Sequence, residues 1–325
     1  MSTDKPELNI VKMALRVVFF GNSRSQFSNC YFQALLDASC NLAGLVDVPF
    51  IKRDSTNPVP EGLPGFPDAA AFYGVPSFET ANPNQPEFIA QMRALEPDLF
   101  LSIGYPKIFH SELLRVPRRL SVNFHASLLP AYRGKHPVFW CLRNGERWSG
   151  LTVHVMDPGI DTGDLLYQVR IRTRRNDSVS SLYDRIIERS LNLVSRLLSD
   201  LENNTLTRTP QPQTGASYYS STTEQDFHLD WSLPAETLRR WIIITPGECF
   251  AFVRGERLFF LHARATLQKP QSEPGEIIRI NPHTVQVATG VGLLHLNQLR
   301  LSDGHQMSLA EFCRQVGLAS GDFLE

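Results

Sequence analysis

The sequence predicts an α/β domain with a mostly parallel sheet, followed by a small antiparallel β-barrel. In the first part of the chain, short apolar runs alternate with segments whose apolar residues have helical spacing, the pattern of parallel strands joined by helices. In the last part, short strand-like runs follow one another between turn residues at close intervals, which is typical of a small barrel.

The predicted first domain begins with a buried strand at residues 15–20, which ends in the turn Gly21-Asn22-Ser23. Helical periodicity predicts three helices, of which the last is long and amphipathic, at residues 27–39, 87–95 and 178–201. Further strands are predicted at residues 42–47, 98–103, 120–124 and 151–156.

A polar segment at residues 204–223, with two prolines and many Ser and Thr, predicts a linker. It separates a first domain at residues 14–203, preceded by a tail at residues 1–13, from a C-terminal domain at residues 224–325. In the latter we predict a helix at residues 234–244 and strands at residues 250–253, 257–261, 275–280, 284–288 and 293–299. A closing helix is predicted at residues 308–316, with Ser308 as N-cap and Glu311 at the reciprocal capping position.

Charge and composition exclude several classes of protein. The formal net charge is -1, so no global charge attracts nucleic acid or an anionic membrane. A membrane-spanning helix needs about 20 apolar residues, and no apolar run in the sequence approaches this length. No signal-peptide cleavage site follows the first apolar run. The five cysteines are odd in number and contain no CxxC pair, which favours reduced thiols in a cytoplasmic protein.

The segment at residues 121–164 contains the candidate chemistry, and it reads SVNFHASLLPAYRGKHPVFWCLRNGERWSGLTVHVMDPGIDTGD. Asn123 and His125 are two residues apart, so on a regular strand they share one face. Asp161 follows later, in a loop flanked by glycines. Ligands of open α/β sheets bind at the carboxyl ends of the strands, and we expect these residues to meet there with the turns that contain Asn22 and Tyr105.

These residue types suit acyl transfer to an amine. The amide of Asn123 can donate to a developing oxyanion, a contribution typically of about 2.7–4 kcal/mol. The imidazole of His125 can move protons at neutral pH, and Asp161 can orient that ring. Each residue alone is more often a cap, a structural group or a turn. Their combination with the rigid Ser127-Leu128-Leu129-Pro130 element favours a catalytic site.

This segment resembles the folate-dependent formyltransferase family, whose signature reads approximately N-x-H-x-S-L-L-P-x-x-R-G, followed by D-x-G-(I/L)-D-T-G-D. The matching positions are Asn123, His125, residues 127–130, Arg133, Gly134, Asp157 and residues 159–164. The resemblance implies a Rossmann-like formyltransferase domain, 10-formyltetrahydrofolate as the formyl donor, and no metal. It places the catalytic Asn, His and Asp of the family on Asn123, His125 and Asp161.

The resemblance also implies a folate site and extends to the C-terminal domain. The pterin ring would lie against two loops, at Lys107, Ile108 and Phe109 and at Met156, Asp157, Gly159 and Ile160. Candidate residues for binding the acceptor are Asn22, Ser23, Tyr105 and His136. The C-terminal domain resembles the OB-like barrel of methionyl-tRNA formyltransferases at Leu229-Asp230-Trp231, Pro246-Gly247 and residues 307–312. That barrel also occurs in relatives that act on small molecules.

The charge distribution favours a small amine as acceptor over tRNA, which requires Lys and Arg to neutralise its phosphates. Residues 205–325 contain ten basic and twelve acidic residues. The segment that matches a basic loop of the tRNA-directed members, residues 48–66, has only Lys52 and Arg53. Lys135 and His136 replace the small residues that follow Arg-Gly in the tRNA-directed members, and Pro158 replaces a common acidic residue. Three other features resemble members that formylate sugars or other small amines, at His136, Trp140 and His154.

The predicted function is therefore N-formylation of an amino sugar, an amino acid or a hydroxylamine-type group. Four alternatives remain open. Methionyl-tRNA formyltransferase is the first, and a 10-formyltetrahydrofolate hydrolase, which uses water as the acceptor, is the second. A folate-binding module without turnover is a third. A metal site at His125, His154 and Asp161 is disfavoured because the sequence has no paired-ligand spacing.

Overall fold

The computed structural model describes residues 15–49, 65–268 and 271–325, and its first part alternates strands and helices. The strands of this part are β1 (Arg16–Phe20), β2 (Asn41–Asp47), β3 (Ser77–Glu79), β4 (Leu99–Ile103), β5 (Leu120–His125), β6 (Arg133–Gly134), β7 (Trp148–Val155), β8 (Leu165–Arg172) and β9 (Tyr218–Tyr219). The helices are α1 (Gln26–Asp37), α2 (Phe66–Tyr73), α3 (Pro86–Ala94), α4 (Ser111–Leu114), α5 (Pro137–Arg143), α6 (Val179–Ser190) and α7 (Asn192–Asn203).

Seven of these strands form one sheet in the order β3-β2-β1-β4-β5-β7-β8. The pairings among β3, β2, β1, β4 and β5 are parallel, whereas β7 runs antiparallel to β5. The predicted mostly parallel, Rossmann-like sheet is confirmed. Because β1, β4 and β5 run in the same direction, the turns that follow them lie at one edge of the sheet.

The central strands are apolar because both faces of this part of the sheet are covered. Every residue of β4 is buried. Aromatic rings pack beside it, with the centroid of Phe20 5.0 Å from that of Phe100 and 4.8 Å from that of Phe109. This core fixes the positions at which the strands end.

The C-terminal part is antiparallel, as predicted, and forms two four-stranded sheets. Its helices are α8 (Ala235–Ile244) and α9 (Leu309–Val316), preceded by a 3-10 turn at Glu224–Asp226. One sheet contains β10 (Phe250–Val253), β11 (Glu256–Phe260), β16 (Gln298–Arg300) and β17 (Gln306–Ser308). The other contains β12 (Ala263–Thr266), β13 (Ile277–Ile280), β14 (Val285–Ala288) and β15 (Leu293–Leu296). Ser308 caps α9, since its side chain accepts a hydrogen bond from the backbone of Glu311.

Two predicted elements are each divided in the structure. The helix predicted at residues 178–201 is interrupted at Leu191, where the backbone N–H of Val194 donates to the carbonyl of Leu191, 3.2 Å away and only three residues back. The strand predicted at residues 293–299 is interrupted at Asn297, because β15 pairs with β12 and β14 whereas β16 pairs with β11 and β17. The chain changes sheets at this point.

The contacts of the chain define two compact units. The first contains the described residues up to His125, together with Leu151–Val169 and Ile187–Ala216. The second contains Ala126–Gly150, Arg170–Ile186 and Ser217–Glu325. The segment predicted as a linker contributes to both units. None of the described helices has the length and apolar character needed to cross a bilayer.

Candidate active site

Strand β5 positions two of the predicted catalytic residues. Asn123 and His125 lie at its carboxyl end, and their spacing of two places both on one face. The side chain of His125 is only 7% exposed. A nearly buried imidazole is shielded from bulk water, which strengthens its interactions with the polar groups around it.

The third residue, Asp161, lies in the loop between β7 and β8 and has a left-handed backbone with φ of 53°. Asp tolerates this conformation better than most residues. The loop closes on itself, because Asp157 Oδ1 accepts from the backbone of Gly159 at 3.1 Å and from Thr162 Oγ1 at 2.7 Å. Gly163 is needed for close approach, since a Cβ there would collide with the carbonyl oxygen of Val155.

The structure brings the three predicted residues together. His125 Nδ1 lies 3.5 Å from Asp161 Oδ2, and Asn123 Nδ2 lies 3.4 Å from Asp161 Oδ1. The Asp161 side chain is 14% exposed. Because Nδ1 of His125 faces the carboxylate, proton exchange with a ligand would use the other ring nitrogen, Nε2.

His154 joins this cluster, whereas the sequence placed it beside His125 and Asp161 only in a disfavoured metal site. Its ring is buried, with Nε2 3.2 Å from Asn123 Nδ2 and 3.3 Å from Asp161 Oδ1. Its Nδ1 lies 2.9 Å from the carbonyl oxygen of Val155, which only accepts, so we assign a hydrogen to Nδ1. A neutral ring then accepts from Asn123 at Nε2, and a protonated ring donates to Asp161.

Gln211 also reaches this loop, from the segment predicted as a linker. Its side-chain Nε2 donates to the carbonyl oxygens of Asp161 and Gly163, at 2.9 and 2.7 Å. Sequence reasoning missed this contact, because a lone Gln between prolines has no periodic or motif signal. All five residues of the cluster belong to the first compact unit.

The residues predicted to bind the pterin lie on the loops after β4 and β7. Ile108 and Ile160 are large apolar side chains that are 49% and 37% exposed, which suits contact with a flat ring. Phe109 is packed in the core at 1% exposure, so only its backbone can contact a ligand. Asp157 has a structural role in its own turn. Lys107, Met156 and Gly159 are partly or fully exposed.

The residues predicted to bind the acceptor divide between the two units. In the first unit, the backbone N–H of Ser23 donates to Asp47 Oδ1 at 3.0 Å, and Asn22 Oδ1 accepts from the backbone of Arg24 at 3.1 Å. Tyr105 is buried, and burial raises the pKa of its hydroxyl well above the ordinary value, with a further contribution from Asp47. These side chains lie at the ends of β1, β2 and β4.

In the second unit, His136 precedes α5 with a left-handed backbone. Burial lowers the pKa of its imidazole, and the nearby charge of Lys135 lowers it further, so this ring is neutral at pH 7.

Within the described ranges, no group of three or more His, Cys, Asp or Glu side chains has an arrangement that could hold a metal ion.

Comparison with known proteins identifies the family of the chain. Residues 16–198 match the formyl transferase model, and residues 222–317 match the model of its C-terminal domain. The chain is 31% identical over 310 residues to a methionyl-tRNA formyltransferase of Synechococcus sp. strain JA-3-3Ab, an alignment that covers 91% of this chain and 94% of that protein.

Solved structures with low sequence identity share the fold. An N-formyltransferase from Helicobacter canadensis, in complex with folinic acid and dTDP-3-aminofucose, superposes with a TM-score of 0.63 at 16% identity, covering 87% of this chain and 99% of that one. HypX from Aquifex aeolicus, in complex with tetrahydrofolic acid, superposes with a TM-score of 0.62 at 16% identity and covers 96% of this chain. This chain spans about half of HypX, 51% of its length. The family matches show that the chain belongs to the formyl transferase family and is an enzyme that transfers formyl groups.

Proposed function

We propose that this enzyme transfers the formyl group of 10-formyltetrahydrofolate to the amine of a small metabolite. The convergence of Asn123, His125 and Asp161, with 3.4 and 3.5 Å between their polar atoms, is the observation that supports formyl transfer at this site. The exposed Ile108 and Ile160 fit a folate ring as the donor. The acceptor would be an amino sugar, an amino acid or a hydroxylamine-type group.

In the proposed reaction the acceptor nitrogen attacks the formyl carbon, and a new C–N bond forms. Asn123 donates its amide N–H to the resulting oxyanion in place of its long contact with Asp161. His125 takes the proton that the attacking amine loses and returns it to the folate nitrogen when the original C–N bond breaks. Asp161 holds the His125 ring in the required orientation and stabilises its protonated form.

Three substitutions test these roles. His125→Ala and Asp161→Ala should abolish most turnover and leave folate binding intact, because neither change removes the exposed apolar contacts. Asn123→Ala should lower kcat by about 10²–10³-fold, the usual loss for an oxyanion donor. The matched control is His283→Ala, which removes an exposed histidine of the second unit. Turnover at the wild-type rate in any of the three variants would remove that residue from the mechanism.

A small acceptor is supported by the low basicity of residues 205–325. The segment at residues 48–66 contains only two basic residues, Lys52 and Arg53, which lie outside the described part of the chain. The test is incubation of the enzyme with 10-formyltetrahydrofolate and a panel of small amines, followed by mass spectrometry for the gain of one formyl group. A reaction without amine measures transfer to water. Formylation of methionyl-tRNA without any small-amine product would overturn the assignment.

Methionyl-tRNA is the second candidate acceptor, and two observations favour it. The relative from Synechococcus, which is 31% identical to this chain, is named a methionyl-tRNA formyltransferase. In addition, the second unit contains eighteen Lys and Arg against fifteen Asp and Glu. A cavity in this unit is lined by six arginines and three acidic residues, of which Glu236 binds Arg175 and Arg239; the arginines are Arg147, Arg172, Arg174, Arg175, Arg239 and Arg240, and the acidic residues are Glu146, Asp177 and Glu236. The excess of arginine over carboxylate in this lining favours binding of phosphates.

The two acceptors can be separated by charge removal. If tRNA is the substrate, the double change Arg172→Gln and Arg174→Gln should weaken tRNA formylation several-fold and reduce its dependence on salt. The matched control is the double change Arg264→Gln and Arg279→Gln, which removes two exposed arginines of the same unit that do not line the cavity. A small-amine enzyme should show equal rates in both double variants.

A further inference from the structure

We propose that Gln211 is a positioning residue that holds the carboxylate of Asp161 in its working place. This inference rests on the proposed function, since Asp161 is the residue that would orient His125. Gln211 does not touch the reacting atoms. Its two side-chain N–H groups bind the carbonyl oxygens of Asp161 and Gly163, at 2.9 and 2.7 Å.

The Asp161 loop needs such support because its backbone is strained. Asp161 has φ of 53°, a left-handed conformation that costs free energy for every residue other than glycine. Relaxation to an ordinary φ would rotate the peptide units on both sides and displace the carboxylate. Two hydrogen bonds from Gln211 oppose this rotation, because the Asp161 carbonyl belongs to one of these peptide units and the Gly163 carbonyl anchors the loop two residues further on.

Backbone pairing with the start of β8 and two flanking prolines place Gln211 beside the Asp161 loop. Thr209 and Leu165 exchange two backbone hydrogen bonds, of 2.8 and 2.9 Å, so this segment lies against the start of β8. Gln211 sits between Pro210 and Pro212. Proline fixes its own φ and biases the preceding residue toward extended backbone, which limits the directions available to the Gln211 side chain.

Displacement of the Asp161 carboxylate would lengthen its contacts with the rings of His125 and His154. Asp161 Oδ2 lies 3.5 Å from His125 Nδ1, and Oδ1 lies 3.3 Å from His154 Nε2. A nearby carboxylate stabilises a protonated imidazole. Loss of the Gln211 contacts should therefore make the His125 ring easier to deprotonate and lower kcat, whereas folate binding at the exposed isoleucines should change little.

The experiment uses the full chain with Gln211→Met, which keeps the side-chain length and removes both donors. Gln211→Glu is the second variant, since its carboxylate would repel the two carbonyls. The matched controls are Gln213→Met and Gln213→Glu, at an exposed glutamine two residues further on. The first measurement is an NMR titration of the His125 ring, which requires no acceptor. The second is steady-state kinetics with the acceptor found in the panel, together with folate affinity.

We expect Gln211→Met to move the midpoint of the His125 titration downward, toward the value in Asp161→Ala, and to lower kcat by about tenfold, equivalent to about 1.4 kcal/mol. Gln211→Glu should lose more activity, and both Gln213 variants should match the wild type. An unchanged titration and kcat in Gln211→Met, while His125→Ala is inactive, would overturn the positioning role alone. An active His125→Ala would instead overturn the proposed function. A parallel loss of folate affinity and kcat would indicate general unfolding and also contradict the inference.

Discussion

Asn123 on β5 lies directly opposite His154 on β7, and their side chains meet with 3.2 Å between Nδ2 and Nε2. The antiparallel register creates this pair, and the carbonyl of Val155 fixes the ring by accepting from Nδ1. The amide of Asn123 is therefore oriented by its neighbour before any ligand arrives. Preorganised donors of this kind contribute most to stabilising a developing oxyanion.

We predict that His154→Leu lowers kcat by about tenfold or more, because the partly buried amide of Asn123 loses its acceptor, a loss of about 1–3 kcal/mol. His154→Gln should retain more activity, since its side-chain oxygen can accept from the same amide. Steady-state kinetics and folate affinity measure the effect, with His283→Leu as the exposed control. Equal rates in the Leu and Gln variants would show that the orientation of Asn123 does not depend on an acceptor at position 154.

The second prediction concerns Gly163, whose place a larger residue cannot take. A Cβ there would collide with the backbone of Val155, which is itself held by a 2.9 Å hydrogen bond from its N–H to the carbonyl of Asp164. Gly163→Ala should therefore lower the free energy of unfolding by about 1–3 kcal/mol and reduce turnover through displacement of Asp161.

Urea unfolding and kinetics check this, with Gly65→Ala as the control. At Gly65 the nearest heavy atom to a Cβ is 3.5 Å away and φ is -59°, so that change meets no obstacle. If both glycine variants behave alike, close packing of the Asp161 loop is not what requires glycine at position 163.

Local patterns predicted β1, β2, β4, β5 and β7 and the helical regions of α1, α3, α6 and α7, because periodicity is a property of neighbouring residues. They did not predict β3, β8, α2 or α4. They also predicted Asn123 and His125, which share one strand, and Asp161, which lies in a recognisable loop. Helix α5 was missed because five of its seven residues are buried, so it has no polar face to give a helical period. Sequence periodicity therefore could not identify α5 as a helix.

Local patterns did not predict Gln211 as a member of the site, and they placed His154 there only as a ligand of a disfavoured metal site. The place of His154 depends on the register between β5 and β7, which pairs it with Asn123 across the sheet. That of Gln211 depends on the bridge between Leu165 and Thr209. Both relations join residues that are distant in sequence, and pairing of this kind is decided by the packing of the whole sheet.

The third prediction concerns the buried ion pair between Arg185 and Asp177 in the second unit. Nη1 and Nη2 of Arg185 each donate to one oxygen of the Asp177 carboxylate at 2.6 Å. The Asp177 side chain is only 4% exposed. Burial alone would raise the pKa of Asp177, but the bonds from Arg185 and from the backbone of Arg174 hold it below its usual value. Arg185→Met should destabilise the protein by about 3–5 kcal/mol, because it leaves a buried carboxylate without its partner.

Urea unfolding at neutral pH measures this loss. The control is Arg93→Met, which breaks a 2.9 Å pair with Glu112 whose side chains are more than half exposed, and which should cost about 0–1 kcal/mol. Adding Asp177→Asn to Arg185→Met should recover part of the stability, since a neutral amide needs less compensation. A loss in Arg185→Met no larger than in Arg93→Met would contradict the importance of burial for this pair.

The last prediction concerns the stability of the protein in acid and depends on Glu236. Its carboxylate binds two arginines, Arg175 at 2.9 and 3.2 Å and Arg239 at 2.7 and 2.9 Å. Burial alone would raise the pKa of Glu236, but the hydrogen bonds and charges of the two arginines outweigh it and lower the pKa from 4.5 to about 2. Between these two values the unfolded chain binds a proton that the folded chain does not.

Stability therefore falls as the pH decreases through this window, and the contribution of Glu236 is fully present only above pH 4.5. Glu236→Gln should lower the urea midpoint at pH 7, and its difference from wild type should shrink as the pH falls from about 4.5 toward 2. Glu248→Gln, at an exposed glutamate of the same unit, should give a small difference at every pH. A constant difference between Glu236→Gln and wild type across the window would mean that the carboxylate charge is not what stabilises this contact. The stabilisation would then come from hydrogen bonds that the neutral amide also makes.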